Sequence, residues 1–425
     1  MIYKNKITWL IFFAFKLLVF NNLNAQLTVS EFQFDGLKKT KKVYLQRFLE
    51  NEVGATFSLQ KLKRSVQKLK NLNAVANANY QLDTTGNQIK IIYQIEEALT
   101  IFPIVNFGGV EGNFWFQLGF TDLNWLGKGM QLSTFYQNND GRNNFSAYYR
   151  VPYLNGSRWG ASFSFLKWAS REPLYFDEGE VLYDYDNLSF GGTVIYELGF
   201  NHNLEFGGSY FIENYEKSKN QSIENPPGPQ DLKQPKALIK LLHKLNRINY
   251  HYFYLSGFDN TINLQTVYNL NDKSWFQIVL NDTRFFKRIG KKGNFASRLR
   301  LGLSTNNDTP FAPFVLDSHV NIRGAGNRID RGTGVLVLNL EYRHTVFDKK
   351  RFAGQVVGFS DTGTWRNPGG GLTDLLEGEN IRPFAGGGIR VIYKQAFDAV
   401  LRLDYGVDLT DVKERGFVLG FGQYF

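Results

Sequence analysis

Few residues in this chain could do covalent or metal chemistry. There is no cysteine, so neither a disulfide framework nor a thiolate site is available. The five histidines are His202, His243, His251, His319 and His344. None of them pair at the i, i+4 spacing that would set two imidazoles on one helical face, so no metal site is expected. No Gly-x-Ser-x-Gly elbow presents a serine, and no P-loop cradles phosphate. Gly108-Gly109-Val110-Glu111-Gly112 is glycine-rich, but it reads as a turn, because no helical pattern follows it to bind an anion. An enzyme is not expected, and no cofactor is implied.

What remains is charge at strand spacing. Residues 335–343 alternate, with Leu336, Leu338, Leu340 and Tyr342 on one face and Val337, Asn339, Glu341 and Arg343 on the other. If Phe352, Val356 and Gly358 face outward on the next segment, then Gln355, Phe359 and Asp361 share the inward face. Glu341 and Asp361 then lie on neighbouring strands, pointing the same way. Two carboxylates in a confined space need a cation. Arg323, if its loop folds back, is that cation, and a guanidinium bridges carboxylates with planar paired bonds that a lysine does not match. The residues alone leave a plainer alternative: a turn arginine and two ordinary inward charges.

The elements that must position these groups are strands. From about residue 99 to 425, segments of roughly ten residues alternate apolar and polar between turn residues, as transmembrane barrel strands do. In residues 397–407, Phe397, Ala399, Leu401, Leu403 and Tyr405 oppose Asp398, Arg402 and Asp404. Residues 204–213 and 145–151 repeat the pattern. Turns show at Asn138-Asn139-Asp140-Gly141 and Asn155-Gly156, and residues 220–236 form a proline-containing loop. About sixteen segments fit, an even number. The 38 Phe, 22 Tyr and 41 Gly, with a mean hydropathy of −0.30, suit a wall that is apolar outside and polar inside. They do not suit helical spans of about twenty apolar residues. A soluble β-sandwich or β-helix is the competing architecture. The aromatic content and the last strand argue against it: Phe417, Leu419, Phe421 and Phe425 share one face of residues 417–425.

Residues 1–25 read as an export signal, with Lys4 and Lys6 ahead of an apolar stretch and Ala25 at the cleavage point. Residues 26–98 read as a β-α-α-β-β unit. Its first strand is residues 28–34. Thr40 caps a helix carrying Tyr44, Leu45, Phe48 and Leu49, and Ser58 caps one carrying Leu59, Leu62, Val66 and Leu69. Strands at 74–82 and 88–95 are joined by a turn at 83–87. The net charge of +10 is spread through alternating strands. That suits a charged lumen and solvated loops better than nucleic acid.

Residues 120–129, with Asn124-Trp125-Leu126-Gly127-Lys128-Gly129, resemble the N-(L/W)-(F/L)-G-x-G turn after the second barrel strand of BamA/TamA-type proteins. Asn321-Ile322-Arg323-Gly324 is similar to that family's V-R-G-F/Y motif on the sixth external loop. Gly358-Phe359-Ser360-Asp361-Thr362-Gly363 resembles its F-x-D-x-G motif on strand thirteen. About eleven segments precede Arg323 and about five follow it, which is where the family places that loop. The sequence departs from the pattern in one place: Ala325 and Gly326 follow the Arg-Gly pair where the family has an aromatic.

The resemblance covers the mature chain and implies an all-β transmembrane barrel of about sixteen antiparallel strands, residues 99–425, preceded by one POTRA domain, residues 26–98. It implies a lumen lock of Arg323, Gly324, Glu341, Asp361 and Gly363, a turn motif of Asn124, Trp125, Leu126, Gly127 and Gly129, and a final-strand signal of Phe417, Leu419, Phe421 and Phe425. It also implies residence in the Gram-negative outer membrane, with the POTRA unit in the periplasm. The expected activity is insertion of β-barrel proteins, or export of polypeptides across that membrane. A passive pore or structural barrel is the alternative. Expected partners are the lipid bilayer, unfolded or secreted client chains, and periplasmic chaperones or lipoproteins, with no nucleic acid. The first strand, about 101–107, must pair with the last. Gly108, Gly109, Gly112, Gly416, Gly420 and Gly422 lie in or beside that seam, either as weak points or simply where barrel strands bend.

Overall fold

The computed structural model describes residues 27–425 except 111–112, 140, 177–178, 220–224, 252, 308–310, 317–320, 326–329 and 397–398. The proposed export signal, Glu111, Gly112, His319, Gly326, Phe397 and Asp398 lie outside the described residues.

The first unit consists of β1 (Thr28–Asp35), α1 (Lys42–Gln46), α2 (Leu59–Lys70), β2 (Val75–Thr85) and β3 (Gln88–Glu97). Its sheet order is β1-β3-β2, with β1 parallel and β2 antiparallel to β3. Alternation sends Ile89, Ile91, Tyr93 and Ile95 to one face, and helical spacing sends Leu62, Val66 and Leu69 to meet them; all are buried. Each such side chain contributes about 1.5–3 kcal/mol on burial. Segment 54–57 covers the outer edge of β1, with Val29 N–H donating to Ala55 O at 3.0 Å and Phe57 N–H to Leu27 O at 2.8 Å.

Two sequence expectations fail here. Thr40 does not cap α1. Lys41 is the N-cap residue, without a side-chain bond, and the helix ends before Phe48 and Leu49. The Thr40 hydroxyl is engaged elsewhere, accepting from Asn124 Nδ2 at 3.0 Å. The turn expected at 83–87 shrinks to Gly86-Asn87, because β2 runs on to Thr85 opposite Gln88.

Among the described residues the barrel wall has sixteen strands of seven residues or more, with a three-residue piece at Asn249–His251 beside them. In order they are β4 (Ile101–Val110), β5 (Asn113–Trp125), β6 (Met130–Asn139), β7 (Arg142–Val151), β8 (Trp159–Phe176), β9 (Gly179–Gly199), β10 (His202–Lys217) and β11 (Asp231–Asn246). Then come β12 (Tyr254–Asn269), β13 (Ser274–Ile289), β14 (Gly293–Ser304), β15 (Gly334–Asp348), β16 (Phe352–Arg366), β17 (Ile381–Tyr393), β18 (Val400–Asp408) and β19 (Arg415–Phe421). The ring closes with β19 beside β4. Large apolar side chains stand exposed around the outside, among them Phe163, Phe190, Phe206, Leu338 and Leu401, as a lipid-facing wall requires. No helix among the described residues is long and apolar enough to cross a membrane.

Eleven barrel strands precede Arg323 and five follow it, as the segment count anticipated. Three details differ. Gly108, Gly109 and Val110 are not a turn; they continue β4, paired with Trp115, Phe114 and Asn113. The proline loop ends at 230, and Pro235 sits inside β11 opposite Ile212. It is tolerated there because β12 begins pairing one residue further on, at Lys236, so no ladder bond needs its missing N–H. The last strand stops at Phe421, not Phe425.

Candidate functional site

The loop between β14 and β15 enters the barrel and buries Arg323 completely, at 0% exposure. Its backbone N–H donates to Asp361 Oδ2 at 3.0 Å. Its Nε and Nη2 donate to the two oxygens of the same carboxylate at 2.8 and 2.9 Å. Nη1 donates to Glu341. This is the bidentate geometry that only a guanidinium offers. Asn339, paired with Asp361 across β15 and β16, donates to Asp361 Oδ1 at 2.9 Å and to the Asn321 carbonyl at 2.8 Å. Asn339 thus ties the loop to the wall on both sides of the ion pair.

The ionic cluster is larger than the three residues singled out in the sequence. Arg343 and Arg390 also donate to Glu341, the latter at 3.4 Å. Asp404 accepts from Arg390 Nη1 at 2.6 Å and from Arg402 Nη1 at 3.4 Å. Four guanidiniums and three carboxylates therefore share one buried patch. Alternation had already put Arg343, Arg402 and Asp404 on inward faces. Nothing local in the sequence shows that they converge across four strands.

Glycines make room for this loop. Gly324 takes φ +99°, and a Cβ there would lie 2.7 Å from the backbone of Gly406. A Cβ on Gly406 would in turn lie 2.3 Å from the Arg323 carbonyl. Gly363 has the same function for the neighbouring residue: a Cβ would sit 2.6 Å from Ile322 Cδ1. Ile322 packs in an apolar cluster with Phe314, Leu316, Val335, Val337, Trp365 and Phe384, and Ala325 lies against the same cluster. Gly420 leaves space for the guanidinium of Arg402, 2.7 Å from where its Cβ would stand. These inward glycines form a trough that the loop occupies.

The final-strand residues divide. Phe417, Leu419 and Phe421 face outward on β19. Phe425 does not share their face. Gly422, at φ +82°, breaks the alternation and turns the chain inward, so that Tyr424 and Phe425 are buried in the lumen with Ile248, Phe286 and Ala296. Parity carries no further than a residue in the left-handed region.

The turn motif works at the rim of the barrel, as a socket for the first unit. Asn124 builds the turn: its Oδ1 accepts from Gly129 N–H at 2.8 Å, while its Nδ2 donates to Thr40. The Gly127 carbonyl accepts from Lys41 N–H at 2.8 Å. A Cβ on Gly127 would be 2.0 Å from Lys39 O, and one on Gly129 would be 2.3 Å from the Tyr44 ring. Leu126 takes φ +57° with its side chain exposed, and Trp125 pairs with Met130 to close the turn. Lys39 Nζ donates to Asp122 at 2.7 Å. Further round the rim Arg47 pairs with Glu197, and Phe48 packs edge-on to Phe200 and Tyr153. Asn71 donates to Asn249 at 3.2 Å.

Glu97 braces the docking segment from the domain side. Its carboxylate accepts from the backbone N–H groups of Lys39 and Thr40 at 3.0 and 2.7 Å. Burial works to raise its pKa, but these bonds outweigh it and hold the pKa below 4.5.

No group of three or more residues able to hold a metal is present among the described residues.

A small α/β unit docked on the rim of a closed sixteen-stranded barrel, with an arginine loop locked in its lumen, defines a POTRA-bearing outer-membrane-type barrel. The chain has the fold of the BamA/TamA-type superfamily. Residues 27–98 match the POTRA family, described as surface antigen variable number repeat. BamA from Haemophilus ducreyi lacking POTRA domains 1–3 is similar in structure at 16% identity and a TM-score of 0.53, covering 92% of this chain and 83% of that one. CdiB from Acinetobacter baumannii matches at 12% identity and a TM-score of 0.57, over 94% and 74% of the two chains. CdiB from Escherichia coli matches at 10% and 0.60, over 92% and 75%. No curated protein sequence matches the chain.

Proposed function

We propose that this protein is an insertase or translocase of the Gram-negative outer membrane that assembles β-barrel clients or exports polypeptides, with its POTRA domain on the periplasmic side. The observation that carries this reading is the state of β19. Its outward residues Phe421, Leu419 and Phe417 are 74, 69 and 71% exposed, whereas Leu401 and Leu403, directly opposite the first two on β18, are 43 and 38% exposed. Outward side chains in a continuous wall shield one another from both flanks. Those of β19 are far more exposed than their partners on β18. At seven residues β19 is also the shortest strand of the ring apart from the three-residue piece at Asn249–His251. A short, poorly covered strand beside the closure is a template for a client strand to add by β-augmentation. The uncovered edge of β2 in the POTRA sheet gives extended clients a second place to pair.

Clients are unfolded barrel or secreted chains, the bilayer is the second partner, and periplasmic chaperones or lipoproteins deliver the clients. The work needs no covalent chemistry from the protein, which acts as a non-enzyme. The deciding experiment is the outer-membrane proteome after depletion of this protein. A subset of barrels or surface proteins should fall while their transcripts hold. If nothing falls and only permeability changes, the protein is a passive pore.

A further inference from the structure

The family pattern places an aromatic after the Arg-Gly pair, and this chain has Ala325 there. The rings that cover Arg323 come instead from outside the loop. Phe359 on β16 lies 3.7 Å from the guanidinium carbon, centroid to atom, and Tyr424 lies 4.5 Å from it. Tyr424 also stands 4.8 Å from the guanidinium of Arg402. The next residue extends the same contact: Arg343 Nη2 donates to the Phe425 carbonyl at 3.3 Å. Tyr424 and Phe425 are only 6 and 5% exposed. They are delivered to this place by the turn at Gly422, whose N–H donates to Val400 O at 2.8 Å. Three of the four arginines of the buried patch therefore touch the segment that follows β19.

We propose that Tyr424 is a positioning residue of the lumen lock, supplying the aromatic surface that the loop itself lacks, and that it makes β19 and the Arg323 loop one mechanical unit. An aromatic face attracts a guanidinium through its quadrupole, and the attraction grows when water is excluded. Here it falls on two guanidiniums at once. Only two residues separate Gly422, which is bonded to β18, from Phe425, so there is no slack. β19 cannot swing out of the wall without drawing Tyr424 off Arg323 and Arg402. The exposed strand at the seam and the buried loop in the lumen thus report to each other through one ring. On the assembly reading above, which this consequence rests on, a client strand that displaces β19 releases the loop in the same movement.

The absence of native cysteine allows a direct test on the full chain in a bilayer. Ala325→Cys reports loop position through its rate of modification by a soluble maleimide. Heat-modifiable gel mobility reports that the barrel is folded. In this background Tyr424→Phe should label at the parent rate. Tyr424→Leu, which keeps apolar volume but has no aromatic face, should label about tenfold faster. Gly422→Val, which cannot take the inward turn without strain, should do the same. The proposal is overturned if Tyr424→Leu labels at the parent rate in a folded barrel, or if Tyr424→Phe labels as fast as Tyr424→Leu. Should Tyr424→Leu destabilise the barrel, Tyr424→Trp replaces it: retention of slow labelling supports the aromatic role, and fast labelling with a folded wall sinks it. Client insertion measured on the same variants separates the two ideas. Fast labelling of Tyr424→Leu when even the parent protein inserts no client supports the positioning role and counts against the assembly reading.

Discussion

The socket at the rim and the lock in the lumen both hold a loop against the barrel, yet they are built from opposite materials. The lock concentrates four guanidiniums and three carboxylates away from the solvent-exposed surface, and Arg323, Glu341 and Asp361 are at most 1% exposed. The socket spreads backbone bonds, two ion pairs and edge-on aromatics along four turns. Its Lys39 side chain remains 39% exposed. Desolvation makes the difference. A buried charge is balanced or it is very costly, so the lock should fail when any one partner is lost. A distributed, half-wet surface loses its contacts one at a time, so the socket should fail by degrees, except where a side chain physically cannot fit.

The largest effect is expected at the centre of the lock. Arg323→Ala leaves Asp361 buried without its cation and takes one of three guanidiniums from Glu341, at a cost of about 3–5 kcal/mol. The denaturant midpoint of the heat-modifiable band should fall, and residues 306–334 should become protease-sensitive. An unchanged midpoint with an intact loop would show that the cluster holds nothing. Next comes the one steric point of the socket. Gly127→Val places a side chain on the Lys39 carbonyl and asks valine for φ +72°. The POTRA domain should leave the rim while the barrel stays folded. Spin labels at Asp83 and Ser157 should change from one narrow distance distribution to a broad one, and a distribution that stays narrow contradicts the socket.

Asp122→Asn should matter less. It removes the ion pair with Lys39 but keeps an amide that can still meet Thr100, so about 1 kcal/mol is expected. That should appear as modestly faster proteolysis of residues 98–100, and cleavage as fast as in Gly127→Val would mean that the socket is no more distributed than the lock. The smallest effect is that of pH on Glu97. Its folded pKa lies below its unfolded value of 4.5, so its stabilising contribution is complete above 4.5 and is lost as pH falls through the folded value. Hydrogen exchange at the Lys39 and Thr40 amides, followed from neutral to acid pH, should accelerate only in that lower range. Acceleration beginning near neutrality would assign the effect to some other group.

Much of this arrangement is legible in the sequence, where periodicity alone determines it. Residues 335–343 alternate, and once Phe352, Val356 and Gly358 are set outward the inward placement of Asp361 follows from parity like that of Glu341 and Arg343. The socket partners of Asn124 do not follow, because Thr40 lies 84 positions away and looks like an ordinary helix cap in its own context. A hydroxyl has only a few bonds to give, and here tertiary docking takes the ones that capping would have used. Phe425 was misplaced because alternation was carried through Gly422. Glycine-rich runs likewise hide their purpose. Gly324, Gly363, Gly406 and Gly420 look like flexibility, yet they are places where a neighbour already occupies the space of a Cβ. Only the assembled wall reveals those neighbours.

The chain order of the lock has a consequence for how the barrel comes to be built. Arg323 lies ahead of every carboxylate that neutralises it: Glu341, Asp361 and Asp404 arrive on β15, β16 and β18, and Tyr424 arrives after β19. In a chain that folds from its beginning, the loop waits in water until the last third of the wall exists. The final step then satisfies loop, wall and tail together. Closure of the ring and burial of its charges become a single late event, and an incomplete barrel keeps its arginine solvated instead of trapped.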